Sequence, residues 1–258
     1  MRFTVDKSLC IGCGACFRAC PRGVFSPDAE GKMNTIEDPC LQCFHCTAIC
    51  PTKAVHCSDV ADEELYTDYS DEALYGLMQK RRSTRNFGPG MPEKEFIRKV
   101  LDRAEGAASA KNQHPTRWTV ILGKERLDEM YRRTVEWAKR TNNELLLYSM
   151  VTLNRNAVTC EASCAIVGCC PTDGMVSSPE LDTAIALTQA ELMFVEAGWN
   201  TCWSGYLRWA IQAEPSVWEL AGIPEGYRPY AVLLVGKEQG ERYLRPAYRP
   251  AARINWTE

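Results

Sequence analysis

The sequence predicts an α+β protein with a small cysteine-rich module at its N-terminal end. Three observations lead to this prediction. Eight of the 14 cysteines fall within residues 1–50. An acidic, weakly periodic stretch at 58–70 marks the clearest change in composition. Beyond it, helical periodicity alternates with short apolar runs typical of buried strands. We therefore expect one domain over 1–57, a linker over 58–70 and a second domain over 71–258.

The eight cysteines form two copies of one pattern, CIGCGACFRACP at 10–21 and CLQCFHCTAICP at 40–51. Each copy has the spacing C-x2-C-x2-C-x3-C-P, the bacterial ferredoxin run for [4Fe–4S] clusters, whose fourth cysteine ligates the other cluster. The first cluster is therefore assigned to Cys10, Cys13, Cys16 and Cys50. The second is assigned to Cys40, Cys43, Cys46 and Cys20.

Two other uses of these cysteines fit the spacing less well. Zinc prefers separate C-x2-C pairs with four ligands per ion. A disulfide framework needs an oxidising compartment, whereas the start MRFTVDKSLC has no apolar signal-peptide region. We therefore expect the protein to work in a reducing, oxygen-poor cytoplasm. Cys164, Cys169 and Cys170 lie in CAIVGCCP, which is typical of a buried strand, and buried cysteine is usually a small hydrophobe. A third cluster built from these residues is the alternative, although they lack the spacing. Six cysteines in all lie outside the two runs: Cys57, Cys160, Cys164, Cys169, Cys170 and Cys202.

Charge and hydropathy exclude two classes of partner. The formal net charge is −3, so the chain has no basic footprint for nucleic acid. It contains no run of eighteen apolar residues, so no membrane span is expected.

The remaining elements follow from periodicity and turn residues. The stretch 21–39 is rich in turn residues and is expected to hold a hairpin. Helices are predicted over 71–79, 92–108, 124–140, 145–153 and 179–197. Strands are predicted over 118–122, 165–170 and 230–235. The helix over 179–197 has the broadest apolar face, and Gly198 ends it.

A basic motif, RRSTRNF at 81–87, suggests an anion site in the second domain. Guanidinium forks match phosphate oxygens in a bidentate way. The alternative is a solvated basic patch at the end of a helix, where cations are favoured. Neither G-x-G-x-x-G nor a G-K-[ST] loop is present, so the common nucleotide-binding motifs are not indicated.

Four segments together resemble the nitroreductase family of FMN-dependent oxidoreductases, in that family's order. They are RRSTRNF at 81–87, SAKNQHP at 109–115, the long helix with the strand after it at 183–207, and VGK followed by RPAYRPAARI within 235–254. The resemblance implies a three-layer α+β sandwich and an intertwined homodimer with FMN at the subunit interface. It also implies that the arginine-rich C-terminal segment is an extended arm packed on the other subunit.

The resemblance also implies a role for particular residues. Arg81, Ser83 and Arg85 would hold the FMN phosphate and ribityl chain, with the backbone of Arg82 near the ring. Asn112 would bind the polar edge of the ring. The backbone of Trp203, Ser204 and Gly205 would lie near flavin N5, and Arg249 would close the phosphate site.

Two positions depart from the family pattern. His114 stands where the family usually has glutamine, and it is a candidate ring contact or proton donor. Ala247 stands where many members have lysine, and Arg245 is the candidate substitute.

These parts predict a cytoplasmic flavoenzyme that receives electrons from a ferredoxin or another low-potential donor. The electrons would pass through the two clusters to FMN, which would reduce a small electron-poor organic substrate, such as a nitro compound or a quinone. The same cofactors also fit a reductive dehalogenase, a desaturase-type flavoenzyme, or a non-catalytic electron carrier or redox sensor. Tyr131, Trp137 and Tyr148 are aromatic candidates for the substrate pocket, with core packing as the favoured alternative.

Overall fold

A computed structural model describes residues 2–36, 40–240 and 243–257. The chain forms two compact units, one of Met1–Gln79 with Glu241–Glu258 and the other of Lys80–Gly240. The division differs from the expected boundaries, because residues 58–79 and the C-terminal segment belong to the cysteine-rich unit. Leu65 explains part of this difference, since its side chain is fully buried in the core of that unit. The acidic residues at 58–70 give the stretch the composition of a linker, whereas the buried side chain of Leu65 packs it on the cysteine-rich unit.

The cysteine-rich unit is built from two small antiparallel strand pairs and short helices. Its strands are β1 (Phe3–Val5), β2 (Phe25–Pro27), β3 (Met33–Thr35) and β4 (Val55–Cys57). Its helices are α1 (Ala15–Ala19), α2 (His45–Ile49), α3 (Asp62–Leu65) and α4 (Ala73–Lys80), the last of which ends at the boundary between units. β1 pairs with β4 and β2 pairs with β3, so the expected hairpin between the cysteine runs is present.

The C-terminal segment is extended, as expected, but it packs on the cysteine-rich unit of its own chain. The amide of Leu244 donates to the carbonyl of Ala48 at 3.2 Å. Tyr248 packs edge-on against Phe44, with ring centroids 5.1 Å apart. We call residues 243–249 the C-terminal arm.

The larger unit contains one antiparallel sheet flanked by helices. Its strands are β5 (Phe87–Gly88), β6 (Arg117–Leu122), β7 (Cys164–Pro171), β8 (Asn200–Trp203) and β9 (Tyr227–Glu238). Its helices are α5 (Lys94–Ala104), α6 (Lys124–Arg140), α7 (Glu144–Leu147), α8 (Pro179–Glu196), α9 (Gly205–Ala213) and α10 (Pro215–Ala221). A short 3-10 turn covers Ala110–Asn112, and a π-helical turn covers Tyr148–Thr152.

The sheet order is β5-β9-β7-β6, and β8 also pairs with β9. β7 is buried along seven of its eight residues, which is why it reads as a continuous apolar run. One core packs α5 and α8 against the sheet through Ile97, Leu187 and Phe194. A second core includes Trp137, so this candidate pocket residue belongs to the core.

The predicted strands and long helices of this unit are present with boundaries close to those expected. The mixed strand and helix content confirms the α+β class. No helix in the described parts of the chain is long and apolar enough to cross a membrane.

Candidate functional site

The cysteine runs fold as tight loops that lead into α1 and α2. Gly14 and Phe44 precede these helices in the left-handed region, with φ of 71° and 57°. This turn places Cys16 and Cys46 in the first turn of each helix, where both are buried. The cost of φ > 0 is small for glycine but real for phenylalanine. Burial of the Phe44 ring against Phe3 and Tyr248 offsets it.

Backbone amides donate to several of these sulfurs. The amides of Val24, Gln42 and Ala54 donate to Sγ of Cys20, Cys40 and Cys50 at 3.4, 3.3 and 3.3 Å. Hydrogen bonds to sulfur stabilise the anionic thiolate, which is the form that ligates iron. The loops are therefore arranged for thiolate ligands.

The charge interactions among these cysteines fall mainly, though not entirely, within the two sets assigned from the sequence, and the ligand assignment stays a prediction. Burial first, and then the neighbouring Cys50, Cys13 and Cys10, raise the pKa of the Cys16 thiol to about 12. The same effects raise the pKa of Cys46 well above its ordinary value, first through burial and then through its neighbours Cys43, Cys20, Cys16 and Cys40. Uncharged thiols are therefore favoured until a cationic iron core compensates the thiolates.

A cavity marks the position of the second set. It has about 340 Å³ of atom-free space, including an opening to solvent. Its lining includes Cys20, Cys40, Cys43 and Cys46 together with Phe25 and Phe44. Among the described residues, no three His, Cys, Asp or Glu side chains are arranged to hold a metal ion. Four cysteines are the ligand number of a [4Fe–4S] cluster and of a structural zinc ion alike, so the C-x2-C-x2-C-x3-C-P spacing, rather than the cavity, favours the cluster.

The RRSTRNF motif lies in the larger unit, where it runs beside β8. Ser83 and Thr201 form an isolated parallel bridge, and the Thr84 amide donates to the Thr201 carbonyl at 2.8 Å. Arg85 Nη1 donates to the Ser83 carbonyl at 3.3 Å, while the side chain of Arg82 is buried. The structure therefore brings the basic motif together with the strand that ends at Trp203.

Glu191 joins these parts, and the sequence analysis missed it. Its carboxylate lies on α8 and is only 3% exposed. Oε1 accepts from Thr201 Oγ1 at 2.8 Å, and Oε2 accepts from Trp203 Nε1 at 2.9 Å. Arg81 Nη1 lies 3.6 Å from Oε1. A lone glutamate within the apolar run IALTQAELMF was the available signal, because a buried carboxylate requires partners.

The loop that contains Asn112 is held in an unusual backbone conformation. Lys111, Asn112 and His114 have φ of 53°, 54° and 44°, in the left-handed region. His114 Nε2 lies 2.9 Å from Asn112 Oδ1, and the His114 amide donates to Ser109 Oγ at 2.9 Å. Since an amide oxygen only accepts, Nε2 carries the hydrogen in this pair. The Asn112 NH₂ group is thereby oriented away from His114.

Contacts from α8 and from the segment before it support the same loop. Asp182 Oδ1 accepts from the Ala110 amide at 2.8 Å. Gln113 donates to the Met175 carbonyl at 2.9 Å and accepts from the Ser177 amide at 3.0 Å. These hydrogen bonds compensate the backbone strain of the loop.

The segment Trp203, Ser204 and Gly205 forms the junction of β8 and α9. Ser204 caps α9, because its Oγ accepts from the Leu207 amide at 3.1 Å and donates to the Val158 carbonyl at 2.6 Å. Apart from its chain neighbours and its own helix backbone, no heavy atom of the described residues lies within 4 Å of a Cβ built on Gly205. The backbone at the start of α9 therefore has open space beside it, as a backbone contact to a ligand requires.

Arg249 belongs to the cysteine-rich unit, where its Nη1 donates to the Cys43 carbonyl at 3.3 Å. Arg245, the candidate substitute for the missing lysine, is buried in the same unit. The phosphate roles that the resemblance implies for the two arginines stay predictions.

The six cysteines outside the two runs are all buried, which was expected for the three in the strand, Cys164, Cys169 and Cys170. Cys160 and Cys202 form a hydrogen-bonded pair, which raises the pKa of Cys160 and lowers the pKa of Cys202. Arg85 also lowers the pKa of Cys202.

Together, the fold and the paired cysteine loops define an α+β protein with an iron–sulfur domain. A 4Fe–4S dicluster domain model matches residues 9–54, and the nitroreductase family model matches residues 78–237. The chain therefore belongs to the nitroreductase family and carries a 4Fe–4S dicluster domain.

Comparisons with individual proteins agree with both assignments. Over 63 residues the chain is 40% identical to a ferredoxin of Pyrobaculum islandicum, covering 24% of this chain and 59% of that protein. The chain thus spans little more than half of that relative. Over 57 residues it is 42% identical to a Thermococcus litoralis ferredoxin, covering 21% of this chain and 95% of the relative.

A solved structure confirms the nitroreductase fold. A Bacteroides fragilis nitroreductase with bound FMN superposes with a TM-score of 0.61 at 19% identity, covering 73% of this chain and all (100%) of that chain. An FMN-dependent nitroreductase from Clostridium difficile gives a TM-score of 0.57 at 19% identity, with 73% and 100% coverage.

Proposed function

We propose that the protein is an FMN-dependent oxidoreductase whose dicluster domain delivers electrons for the reduction of an electron-poor organic compound. One observation carries this proposal. The Ser83–Thr201 bridge places the arginine-rich motif beside the β8–α9 junction, in a chain that also has two complete cluster-binding runs. The flavin would supply both one-electron and two-electron chemistry, which suits a donor that passes single electrons.

Arg81, Ser83 and Arg85 are the proposed donors to the phosphate and ribityl chain. Arg85 is exposed, and its guanidinium is positioned by the Ser83 carbonyl. Such charged hydrogen bonds are about twice as strong as neutral ones. Arg82 is proposed to contribute through its backbone, since its side chain is buried.

Asn112 and His114 are proposed to contact the polar edge of the flavin ring. Backbone groups near flavin N5 are proposed to come from Trp203, Ser204 and Gly205. The capping role of Ser204 occupies its hydroxyl, so its contribution is limited to the backbone. No acid–base pair in the chain is required, because the cofactor carries the chemistry.

A homodimer is proposed from the exposed apolar residues of α8. Leu181 and Ile185 are 65% and 42% exposed on a helix whose opposite face packs in the core. Burial of these side chains against a second copy would remove apolar surface from water.

A ferredoxin or another low-potential protein is the proposed electron donor. The cytoplasm is the proposed compartment.

The first test is cofactor content after anaerobic purification and reconstitution. We expect about eight iron and eight sulfide atoms per chain, with FMN bound. Arg85→Gln should raise the FMN dissociation constant about tenfold to a hundredfold, which corresponds to about 1.4–2.8 kcal/mol. Arg103→Gln removes an exposed arginine on α5 and should leave it unchanged. A protein that takes up iron but never FMN would contradict the flavin assignment.

The second test addresses the electron path. In stopped-flow mixing with a reduced low-potential ferredoxin, cluster absorbance should bleach before flavin absorbance. Rapid flavin bleaching by NADH that is unaffected by cluster loss would contradict this path. A protein that reacts with a specific partner but reduces no small acceptor would instead be an electron carrier.

A further inference from the structure

The C-terminal arm contains a buried arginine, Arg245, whose guanidinium lies at the end of the second cysteine run. The Tyr243 hydroxyl lies 3.3 Å from His45 Nδ1, and their rings pack edge-on. Leu244 binds the Ala48 carbonyl, and Tyr248 packs on Phe44. These contacts fix the arm on both sides of Arg245.

Arg245 fills the position between these anchors. It is only 9% exposed. Its Nη1 donates to the carbonyls of Thr47 at 3.1 Å and Cys50 at 2.9 Å. The guanidinium also lies over the Tyr66 ring, 5.1 Å from its centroid. The guanidinium therefore sits at the end of α2, next to the cysteine assigned as the fourth ligand of the first cluster.

Three other arginines of the cysteine-rich unit lie near the cysteine runs and are less buried than Arg245. Arg18 Nη2 donates to the Cys13 carbonyl at 2.9 Å, and Arg249 Nη1 donates to the Cys43 carbonyl at 3.3 Å. Both side chains are exposed, so water and salt screen their charges. Arg22 lines the cavity of the second set and is half-buried. The Arg245 charge is the most deeply buried of these four.

We propose that Arg245 sets the reduction potential of the cluster held by Cys10, Cys13, Cys16 and Cys50, and that the C-terminal arm serves to place it there. Reduction adds one electron to the cluster, with no bond made or broken. The added negative charge is stabilised by a nearby cation in a low-dielectric surrounding. Charge, hydrogen bonding and solvent exposure are the terms by which a protein tunes such clusters.

The proposal rests on the dicluster domain and not on the flavin. A loss of flavin binding would therefore leave it intact, and its own failure would leave the proposed reductase activity intact. The readout is the potential of each cluster in the full-length loaded protein, measured by a redox titration followed by electron paramagnetic resonance.

Three variants separate charge from structure. Arg245→Gln retains an N–H donor but removes the charge. We expect it to shift the reduction equilibrium of one cluster toward the oxidised form by about tenfold, which is about 59 mV for one electron. Arg245→Lys retains the charge and should keep both potentials close to the native values. Arg253→Gln removes an exposed arginine just beyond the arm and should change neither.

Several outcomes would overturn the proposal. The first is a fully loaded Arg245→Gln protein with both potentials unchanged. The second is an equal shift of both clusters. If Arg245→Lys shifted as far as Arg245→Gln, loop geometry rather than charge would set the potential. Loss of iron from Arg245→Gln would show that Arg245 holds the loop, which also overturns a tuning role.

Discussion

The carboxylate of Glu191 accepts a hydrogen bond from the indole of Trp203 at 2.9 Å, beneath the surface of the larger unit. The other carboxylate oxygen binds Thr201, two residues earlier on the same strand. One side chain on α8 therefore fixes β8 at two points. Arg81 approaches the same carboxylate, so the helix, the strand and the basic motif share one acidic group.

Replacement of this acid tests its organising role. Glu191→Gln retains one acceptor oxygen for two donors and removes the charge near Arg81. We expect the free energy of unfolding to fall by about 1–3 kcal/mol, the cost of an unsatisfied buried donor. Denaturant unfolding followed by tryptophan fluorescence measures it. Glu196→Gln, at the exposed end of the same helix, should be neutral, and an equal loss in both variants would contradict the role of Glu191.

The pair of Asn112 and His114 gives a prediction about flavin affinity. His114→Leu removes the donor that orients the Asn112 amide, so we expect the FMN dissociation constant to rise about tenfold. His114→Gln supplies a donor again and should restore most of the affinity. If His114 were a proton donor instead, His114→Leu would lower kcat at saturating FMN and leave FMN affinity unchanged.

The sequence predicted what depends on local spacing. The cysteine runs have fixed intervals, and β7 and α8 have clear periodicity, so their identity and approximate boundaries could be inferred. Glu191 could not be assigned, because its partners Thr201 and Trp203 are identified only once the helix packs on the strand. The contacts that the arm makes within its own chain could not be assigned for a similar reason. Its composition shows arginines, but the surface they contact is decided by Tyr243, Ala247 and Tyr248 packing on the cysteine-rich unit.

Gly168 in β7 allows α8 to approach the sheet closely. A Cβ at this position would lie 2.4 Å from Thr183 Cγ2. Gly168→Ala should therefore lower the free energy of unfolding by about 1–3 kcal/mol, the usual cost of overpacking a core. Thermal unfolding of the FMN-free protein measures this, because the space beside the Gly205 control would be occupied by the proposed FMN. Gly205→Ala meets open space at the start of α9 and should be neutral or slightly stabilising. Equal stability of the two variants would contradict the close approach.

Cys164 and Cys169 provide a test of burial. Burial raises the pKa of both thiols to about 12. At pH 8 only on the order of one in 10⁴ of each is the reactive thiolate. We expect iodoacetamide to leave both unmodified in the native protein and to label both after denaturation, as read by peptide mass spectrometry. Folding raises the pKa of both thiols, so their protonated forms add to the free energy of unfolding. This contribution is at its full value below the ordinary thiol pKa of 9.0 and is lost as the pH rises toward 12. Rapid labelling at pH 8 in the native state would contradict this burial.

A variant at Arg249 distinguishes a role in the cysteine-rich unit from a role at the flavin phosphate. Its guanidinium lies on the Cys43 carbonyl, whereas the resemblance to the family implies a contact with the flavin phosphate. Because its contact is exposed and lies in the cysteine-rich unit, we expect Arg249→Gln to leave the FMN dissociation constant within about twofold of the native value. Arg85→Gln, measured in parallel by flavin fluorescence, should raise it at least about tenfold. If Arg249→Gln weakened FMN binding as strongly as Arg85→Gln, the arm would have to reach a flavin site, and the phosphate role would be restored to Arg249.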